Sequence, residues 1–252
     1  MEKNANNEFV VGGRNAVKEL LLSGRDIDKI YVQKGERDGS IRMLVGKAAE
    51  RKIPIVEAEK SKIDAICDGT HHQGIVAMAS EQNYSTIEEI IEYANSLGEA
   101  PFVVICDGVE DPHNLGAIIR SAECSGVHGV IIPKRRSVGL TATVAKSAAG
   151  ATAHMRVARV TNLASTVDEL KKLGFWVYAA DMGGDEYSSV DYSGSVAVVL
   201  GSEGFGISRL VKEKSDFVVS IPLYGKVNSL NVSCAAAVIL TEVARQKHKK
   251  HL

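Results

Sequence analysis

The sequence predicts an α/β protein whose C-terminal part is built on a mostly parallel β-sheet. Six short, mostly apolar segments with strand-like composition follow residue 100, and they cover residues 102–106, 129–132, 155–160, 175–179, 196–200 and 217–221. Helical patterns lie between most of them, and the last predicted helix runs from about residue 231 to 247. Strands that are apolar on both faces are typical of parallel sheets covered by helices on both sides.

The first 80 residues predict a second, smaller α/β domain. Helical patterns cover residues 15–22, 41–51 and 62–67, and strand patterns cover residues 29–33, 53–56 and 74–78. Between the two domains, residues 81–100 carry five acidic and no basic residues, and Ser85 and Glu88 have the spacing of a capping box before an amphipathic stretch. We therefore expect a domain over residues 1–80, an acidic helical connector over 81–100 and a domain over 101–252.

The composition is that of a globular protein with balanced charge. Lys and Arg total 30 against 31 Asp and Glu, which gives a net charge of −1, and 45% of the residues are hydrophobic. This balance alone does not suggest a nucleic-acid partner, because RNA-binding proteins usually carry a basic surplus. The polar residues 1–8 and the lack of an apolar run of membrane-spanning length predict a cytoplasmic protein without membrane contact. The four cysteines form no C-x-x-C pair, so neither a disulfide framework nor a metal site is expected.

The charge is unevenly distributed along the chain. Residues 1–80 hold 13 basic and 12 acidic groups and residues 101–252 hold 17 and 14, so the acidic connector masks two mildly basic domains. Basic residues also cluster after a predicted strand, at Lys134, Arg135 and Arg136, and over residues 245–250. Such clusters can neutralise RNA phosphates, although charge alone favours a solvated loop and a solvated tail.

Three motifs in the C-terminal domain carry candidate chemistry, and the first follows the strand at 102–106. In N-L-G-A-I-I-R-S-A, which starts at Asn114, the asparagine is placed as a helix N-cap. Gly116 and Arg120 lie together opposite the apolar face, and Arg120 would lean toward the helix start, near the strand ends where open α/β sheets bind ligands. A glycine inside a helix costs roughly 1 kcal/mol relative to Ala, so Gly116 indicates a close approach by another group. The alternative is an exposed arginine and a packing glycine.

The second motif, G-S-E-G-F-G over residues 201–206, directly follows the strand at 196–200. It has neither the glycine order of a dinucleotide-binding loop nor the Lys-Ser or Lys-Thr of a phosphate-binding loop. Its glycines allow the backbone to press against a ligand, and Glu203 places a carboxylate in the same turn. The alternative is a strand-to-helix turn in which Glu203 serves only the helix dipole.

The third motif is I-P-L-Y-G-K-V-N-S-L-N-V-S over residues 221–233. A predicted strand ends at Ile221, a turn with Pro and Gly follows, and Ser229 and Asn231 lie at the start of a helix of small residues. Helix capping is the alternative role of these two polar residues.

Taken together, the three motifs resemble, in order, those of the SpoU (TrmH) class of SPOUT RNA 2′-O-ribose methyltransferases. Two N-terminal segments, G-G-R-N-A-V-K-E-L-L at 12–21 and H-H-Q-G-I-V-A at 71–77, are similar to the substrate-binding domain of bacterial 23S ribosomal RNA guanosine-2′-O-methyltransferases. In that family, this domain resembles ribosomal protein L30e. The resemblance spans the whole chain, with no departure at a motif position.

The resemblance implies a catalytic domain whose C-terminal segment is threaded into a deep trefoil knot, with S-adenosylmethionine bound in a bent form in that knot. The cofactor would be held largely by backbone groups of the loops that contain Gly201, Ile221 and Leu230, with Asp181 as a further neighbour. A homodimer with the active site near the subunit interface is implied as well.

By the same resemblance, Arg120 is the residue at the ribose O2′. A guanidinium with a pKa above about 12 is a poor base at neutral pH, so we expect Arg120 to orient O2′ and the adjacent phosphate. The remaining members of the expected catalytic set would hold Arg120 and the ribose in place, and they are Asn114, Glu203, Ser229 and Asn231.

The resemblance also implies the substrate, a guanosine in the P-site loop of 23S ribosomal RNA, near the peptidyl-transferase centre. We expect Arg14 and the basic residues 134–136 to contact the RNA. The extra N-terminal domain favours ribosomal RNA over a tRNA guanosine-2′-O-methyltransferase of the same class. Related enzymes with similar N-terminal domains modify other nucleotides of ribosomal RNA and confer antibiotic resistance.

Two other classes of protein fit the sequence less well. A pure RNA-binding or ribosome-assembly protein would be expected to lose Arg120, Glu203 or Asn231, and all three are present. A dehydrogenase would need a glycine fingerprint that the sequence lacks.

Overall fold

A computed structural model describes residues 9–22, 27–35, 38–67, 71–79 and 84–248 of the chain. The chain forms two compact units. The first contains the N-terminal residues up to Asn83 together with Gly139–Ala142, and the second contains Tyr84–Val138 and the residues from Thr143 onward.

The first unit is a four-stranded mixed sheet with three helices among the described residues. Its elements are β1 (Phe9–Gly12), α1 (Arg14–Leu22), β2 (Ile27–Gln33), α2 (Gly39–Glu50), β3 (Ile55–Ala58), α3 (Lys60–Cys67) and β4 (Ile75–Ala79). The strand order is β1-β4-β2-β3, in which β4 is antiparallel to both neighbours and β2 is parallel to β3. Helix and strand side chains such as Val17, Ile30 and Leu44 form its core, which confirms the predicted α/β character.

The strand β1 is missing from the predicted elements. It has only four residues, and it pairs antiparallel with β4, where Val10 lies opposite Met78. A strand this short carries too few alternating positions to be distinguished in the sequence, and its partner is far away along the chain. The strand β1 therefore forms because it pairs with β4, and no local sequence pattern marks it.

The second unit is built on a six-stranded parallel sheet. Its elements are α4 (Ile87–Ser96), β5 (Phe102–Asp107), α5 (Pro112–Cys124), β6 (Gly129–Pro133), α6 (Ala142–Ser147), a single 3₁₀ turn (Ala151–Ala153), β7 (Arg156–Val160), α7 (Leu163–Lys172), β8 (Phe175–Glu186), β9 (Ser195–Gly201), α8 (Arg209–Lys214), β10 (Phe217–Ser220) and α9 (Val232–His248). All neighbouring strands are parallel, which confirms the predicted parallel sheet, and their order is β10-β8-β9-β5-β6-β7.

The strand order reverses next to β5. The chain runs outward from β5 to β7, and then returns to lay β9, β8 and β10 on the other side of β5. In open α/β sheets, ligands bind outside the carboxyl ends of the strands at such a reversal. The trefoil knot implied by the family resemblance stays a prediction.

The strand β8 is much longer than the predicted strand at 175–179. Its pairing with β10 shifts register, so that Val218 lies opposite Ala179 and Val219 lies opposite Asp185. The residues of β8 between Ala179 and Asp185 bow out of the ladder with β10. Only a glycine at position 184 permits the close approach of the two strands, because a Cβ there would lie 2.1 Å from the Val218 carbonyl oxygen. This part of β8 contains glycines and acidic residues, which are uncommon inside strands, so the sequence does not predict it as a strand.

The helix α4 forms in the segment predicted as a connector, and the residues from Tyr84 onward belong to the second unit. Its capping box uses Thr86 and Glu89, so the predicted box of Ser85 and Glu88 is wrong by one residue. The reason is that the backbone N–H of Ser85 donates to the Val157 carbonyl, which keeps Ser85 in an extended conformation beside β7.

The core of the second unit lies between the sheet and its helices. Buried Val103, Ile131 and Val199 from the strands meet Ile90 from α4 and Leu170 from α7. None of the helices in the described residues is both long and apolar enough to span a membrane.

Candidate active site

A pocket of about 980 Å³ opens in the second unit, at the carboxyl ends of β8 and β9. Ala180 from the bowed part of β8 and Leu200 from β9 line it, together with the segment that follows β10. All four expected cofactor contacts line this pocket, namely Asp181, Gly201, Ile221 and Leu230. Three of the five expected catalytic residues line it as well, and they are Glu203, Ser229 and Asn231.

Three polar side chains from different parts of the chain form a hydrogen-bonded cluster beside this pocket. Glu203 Oε1 accepts a bond of 2.9 Å from Asn114 Nδ2 and one of 2.7 Å from Asn231 Nδ2. Asn231 Nδ2 also donates to Asn114 Oδ1 over 2.9 Å. The cluster therefore links α5, the turn after β9 and the start of α9, and it fixes the orientation of one carboxylate and two amides.

Asn114 is free to join the cluster because another residue caps its helix. Asp111 is the N-cap of α5, and its carboxylate accepts from the backbone N–H groups of His113 and Asn114. Pro112 occupies the first helical position, where its missing N–H costs nothing. The predicted capping role of Asn114 is thus wrong: its side chain is buried and turned toward Glu203.

Asn231 combines the two roles that the sequence offered as alternatives. Its Oδ1 accepts from the backbone N–H of Ser233 over 2.9 Å and from the Ser233 hydroxyl over 2.6 Å, as an N-cap of α9 does. This leaves Nδ2 to donate to Glu203 and Asn114. Ser229 is exposed and lines the pocket two residues earlier.

The second motif is a closed turn. Ser202 N donates to Gly206 O and Gly206 N donates to Ser202 O, each over 3.0 Å. A Cβ on Gly201 would lie 2.2 Å from the Gly206 carbonyl carbon, so only glycine permits this closure. The turn presents Glu203 to the cluster.

Asp181 stands in the pocket wall but is already paired. Its carboxylate binds Lys212 Nζ over 2.7 Å and accepts from the Met182 backbone N–H over 2.7 Å. This ion pair joins the bowed part of β8 to α8, and the positive charge of Lys212 compensates the negative charge of Asp181.

Arg120 lies apart from the cluster within a single chain. It is exposed on α5, does not line the pocket, and forms no hydrogen bond or ion pair with another residue of the described ranges. Gly116, one turn earlier, is packed against α6, because a Cβ there would lie 2.5 Å from Ser147 Cβ and 2.7 Å from the Val144 carbonyl oxygen. The close approach predicted at Gly116 is therefore made by a helix of the same unit.

The expected RNA contacts differ in how far their charges are engaged. The Arg14 guanidinium binds Asp38 over 2.7 Å and donates to the Gln73 carbonyl over 3.2 Å, in the first unit. A backbone bond from Ser40 and the bond from Arg14 hold the pKa of Asp38 below its usual value. In the second unit, Lys134 is half-buried, whereas Arg135 and Arg136 are exposed.

The sequence leaves open whether His71 and Gln73 contact RNA or only close a turn, and the structure places Gln73 in the turn before β4. His72 is buried, accepts at Nδ1 from the Gly74 backbone N–H over 3.0 Å and pairs through Nε2 with Asp64 over 2.8 Å. Gln73 has a positive φ and its Oε1 accepts from Arg14 N. Both residues therefore build the turn before β4.

No group of three or more metal-ligating side chains occurs among the residues that the structure describes. Cys67 and Cys106 are buried and Cys124 and Cys234 are exposed. Burial raises the pKa of the Cys106 thiol to about 12, which keeps it protonated at neutral pH.

Comparison with known proteins agrees with this geometry. The model of the SpoU rRNA methylase family matches residues 101–241, and the model of the RNA 2′-O ribose methyltransferase substrate-binding domain matches residues 10–85. The chain belongs to the SpoU family. It is an RNA 2′-O-ribose methyltransferase. The match to the methylase family covers the part of the chain that holds the pocket.

Relatives of this SpoU enzyme cover nearly its full length. A protein of Staphylococcus haemolyticus, whose name assigns it to the TrmH family of tRNA/rRNA methyltransferases, is 46% identical over 96% of this chain and 97% of its own. Among solved structures, the SpoU methyltransferase AviRb from Streptomyces viridochromogenes, in complex with AdoMet, has a TM-score of 0.59 at 22% identity and covers 95% of this chain and 90% of its own. An AdoMet-bound rRNA methyltransferase from Sinorhizobium meliloti has a TM-score of 0.59 at 24% identity and covers 98% and 88%.

Proposed function

We propose that this SpoU enzyme transfers a methyl group from S-adenosylmethionine to the ribose 2′-OH of a guanosine in 23S ribosomal RNA, in the P-site loop of the peptidyl-transferase region. The observation that carries the chemistry is the Asn114–Glu203–Asn231 cluster at the edge of the pocket. The match of residues 10–85 to a substrate-binding domain supports a structured RNA as the substrate.

The pocket fits S-adenosylmethionine in size and in kind. Its volume of about 980 Å³ lies at the upper end of the range usual for cofactor sites. Its wall combines apolar residues such as Leu200 and Ile239 with residues of two glycine-containing loops. The bound cofactor supplies a methyl group on a sulfonium. The residues Gly201, Ile221, Leu230 and Asp181 would hold it.

The polar cluster would orient the ribose. Two amides and a carboxylate that are fixed by three mutual hydrogen bonds lose little conformational freedom when a hydroxyl binds beside them. Since Glu203 and Asn231 both line the pocket, the ribose would lie against their side, with Ser229 as a further polar neighbour.

Arg120 would orient O2′ and the adjacent phosphate by its planar fork of donors. Because Arg120 is exposed and outside the pocket within one chain, its role is best met in a homodimer whose active site lies near the subunit interface. In the described part of the chain, the Arg120 guanidinium has no carboxylate partner that it must leave before it binds a phosphate.

The exposed Arg135 and Arg136 are proposed RNA contacts. Arg14 is a weaker candidate, since any contact of its guanidinium with RNA would compete with Asp38. The alternative substrates are a tRNA guanosine and another nucleotide of ribosomal RNA, as in resistance-type enzymes.

The test is a mapping experiment. The purified enzyme is incubated with labelled S-adenosylmethionine and, in separate reactions, with fragments of 23S ribosomal RNA and with tRNA, and sites of 2′-O-methylation are mapped. Label at one guanosine of the P-site loop is the expected result. Label only in tRNA, or at a different ribosomal nucleotide, contradicts the substrate assignment. Label in neither RNA also contradicts it, and favours a pure RNA-binding protein or an assembly intermediate of the ribosome as the substrate.

A further inference from the structure

We propose that Phe205 is the stacking platform for the base of the nucleotide that is methylated, and that it thereby positions the ribose at the polar cluster. The inference rests on one part of the proposed function, namely that an RNA nucleotide is methylated at this pocket. It adds a contact between the protein and the base of that nucleotide. It does not depend on which RNA is the substrate.

The first observation is the exposure of the ring. Phe205 is 95% exposed, and among the large hydrophobic side chains of the described residues only Tyr224, at 96%, is equally open. Single exposed apolar residues are common on protein surfaces, so exposure by itself assigns no role. The case for a functional role of Phe205 rests on its position and on the rigidity of the turn that carries it.

The second observation is that the ring is carried on a closed turn. The two backbone bonds between Ser202 and Gly206 bring the ends of the turn together, and the Ser202 hydroxyl adds a bond of 3.3 Å to the Gly206 carbonyl. The backbone at Gly201 touches Gly206 so closely that no side chain fits between them. Phe205 lies between these two fixed ends, so its backbone has little freedom.

The third observation is that the turn is fixed on both sides of Phe205. Two residues before it, Glu203 is bonded to Asn114 and Asn231. Three residues after it, the backbone N–H of Ser208 donates to Asp107 Oδ2 over 2.8 Å. A ring on such a support binds a flat partner with a small loss of conformational entropy, since only two side-chain torsions remain to be ordered.

The fourth observation is the place of the ring. Phe205 lines the same pocket as Glu203, Ser229 and Asn231, whereas Tyr224 does not line it. Because almost all of the Phe205 surface is open to solvent, the ring lies at the mouth of the pocket. A ligand that enters from the solvent side therefore meets Phe205 next to the residues that would orient its ribose.

The chemistry of the substrate identifies the occupant. A nucleotide of structured RNA must leave its stack before an enzyme can surround its ribose, and aromatic side chains commonly replace the lost stacking. Phenylalanine offers a face without hydrogen-bonding groups, so it would hold any base. We infer that Phe205 contributes affinity and orientation and does not read the identity of the base.

The experiment is a double-mutant cycle in which the Phe205 ring and the target base are removed separately and together. The RNA is whichever one the wild-type enzyme methylates, prepared with its normal target nucleotide or with that nucleotide abasic. For F205A on the normal RNA, kcat/KM should fall on the order of tenfold to a hundredfold, as expected for loss of one stacked base. On the abasic RNA, wild type and F205A should react at equal rates, because the partner of the ring is gone.

Matched variants make the test specific. F205W should stay within a few-fold of wild type on the normal RNA, and F205L should lose most of the activity that F205A loses, since it keeps bulk but has no aromatic face. L173A removes an exposed apolar side chain at the end of α7, outside the pocket lining and the three motifs, and should change kcat/KM less than twofold.

Several results would overturn the inference. Equal losses for F205A on normal and abasic RNA would show that the ring does not act through the base. Weaker binding of S-adenosylmethionine to F205A would assign the ring to the adenine of the cofactor, and a changed oligomeric state of F205A would assign it to a second copy of the chain. A wild-type enzyme that methylates none of the RNAs offered contradicts the proposed function itself, and this is seen before any variant is compared.

Discussion

Glu203 Oε1 accepts hydrogen bonds from Asn231 Nδ2, 28 residues further along the chain, and from Asn114 Nδ2, 89 residues earlier. Both bonds end on one oxygen, so a single carboxylate holds the turn after β9, the first helix after β5 and the last helix in one arrangement. A charged acceptor makes these bonds stronger than neutral ones. The polar edge of the pocket is therefore built around Glu203.

The first prediction concerns this charge. Glu203→Gln keeps the shape of the side chain but replaces a charged acceptor by a neutral amide, which weakens both bonds and loosens the two asparagines. We expect the single-turnover rate of methyl transfer to fall on the order of tenfold to a hundredfold, because small errors in position are costly in such reactions. Binding of S-adenosylmethionine, measured by calorimetry, should change only a few-fold.

The control for this variant is Glu213→Gln. Glu213 is an exposed residue of α8 that pairs with Arg209, outside the pocket. It should leave the rate within twofold. Equal rates for wild type and Glu203→Gln would show that the cluster is not part of the reaction.

The second prediction concerns Arg120. Arg120→Lys keeps the positive charge but loses the planar fork that can hold O2′ and a phosphate together. Single-turnover methylation should fall at least tenfold with RNA binding nearly unchanged, as measured by a filter assay. Arg209→Lys, on the exposed face of α8, serves as the matched control. A near-normal rate for Arg120→Lys would contradict both an orienting role and a role as base.

The third prediction concerns the closed turn. Gly201→Ala would drive a Cβ into the backbone of Gly206, at 2.2 Å from its carbonyl carbon, and the turn must open to admit it. Forcing atoms into a packed site costs about 1–3 kcal/mol. The second unit should therefore unfold at lower urea concentration, followed by the fluorescence of Trp176, the one tryptophan in the sequence.

Gly225→Ala provides the comparison for this variant. A Cβ on Gly225 meets nothing within 4 Å, and its φ lies outside the positive range. This variant should leave stability unchanged or raise it by less than about 1 kcal/mol. The expectation for Gly201→Ala is wrong if the two variants unfold at the same urea concentration.

The fourth prediction concerns the pH dependence of stability through His128. Burial lowers the pKa of this imidazole below its usual value, against the opposing effect of Glu99. Its Nδ1 accepts from the Phe102 backbone N–H over 3.0 Å, so this nitrogen carries no proton, while Nε2 lies 3.1 Å from Glu99. Lys247, whose pKa burial also lowers, adds a nearby positive charge that opposes protonation.

The sign of the effect follows from these contacts. Since the folded pKa is lower than the unfolded one, the stabilisation is fully present above the unfolded pKa of about 6.5 and is lost as the pH falls through the folded pKa. Wild type should lose unfolding free energy between pH 7.5 and 5. His128→Gln keeps a donor and an acceptor but does not titrate, so its loss over this range should be smaller. Parallel curves for the two proteins would contradict the assignment.

The sequence determined the α/β class, the parallel strands of the second unit and two of the segments that line the pocket, residues 201–206 and 221–233. These features follow from apolar patterns and from motifs that are local in the chain, and local patterns survive in any packing. The positions of Asn114, Glu203 and Asn231 were also marked by their motifs. The one capping box in the connector was placed a residue too early, because Ser85 is held by a strand that lies far away in sequence.

Only the tertiary structure decided how these parts meet. The register shift between β8 and β10 makes the pocket wall, and the cap supplied by Asp111 turns Asn114 away from its own helix end toward Glu203. The same packing leaves Arg120 exposed and outside the pocket of its own chain and seals Gly116 against α6. A strand pattern says which residues are buried, but the register between strands and the partner of each polar group depend on contacts between distant segments, and those contacts place the chemistry.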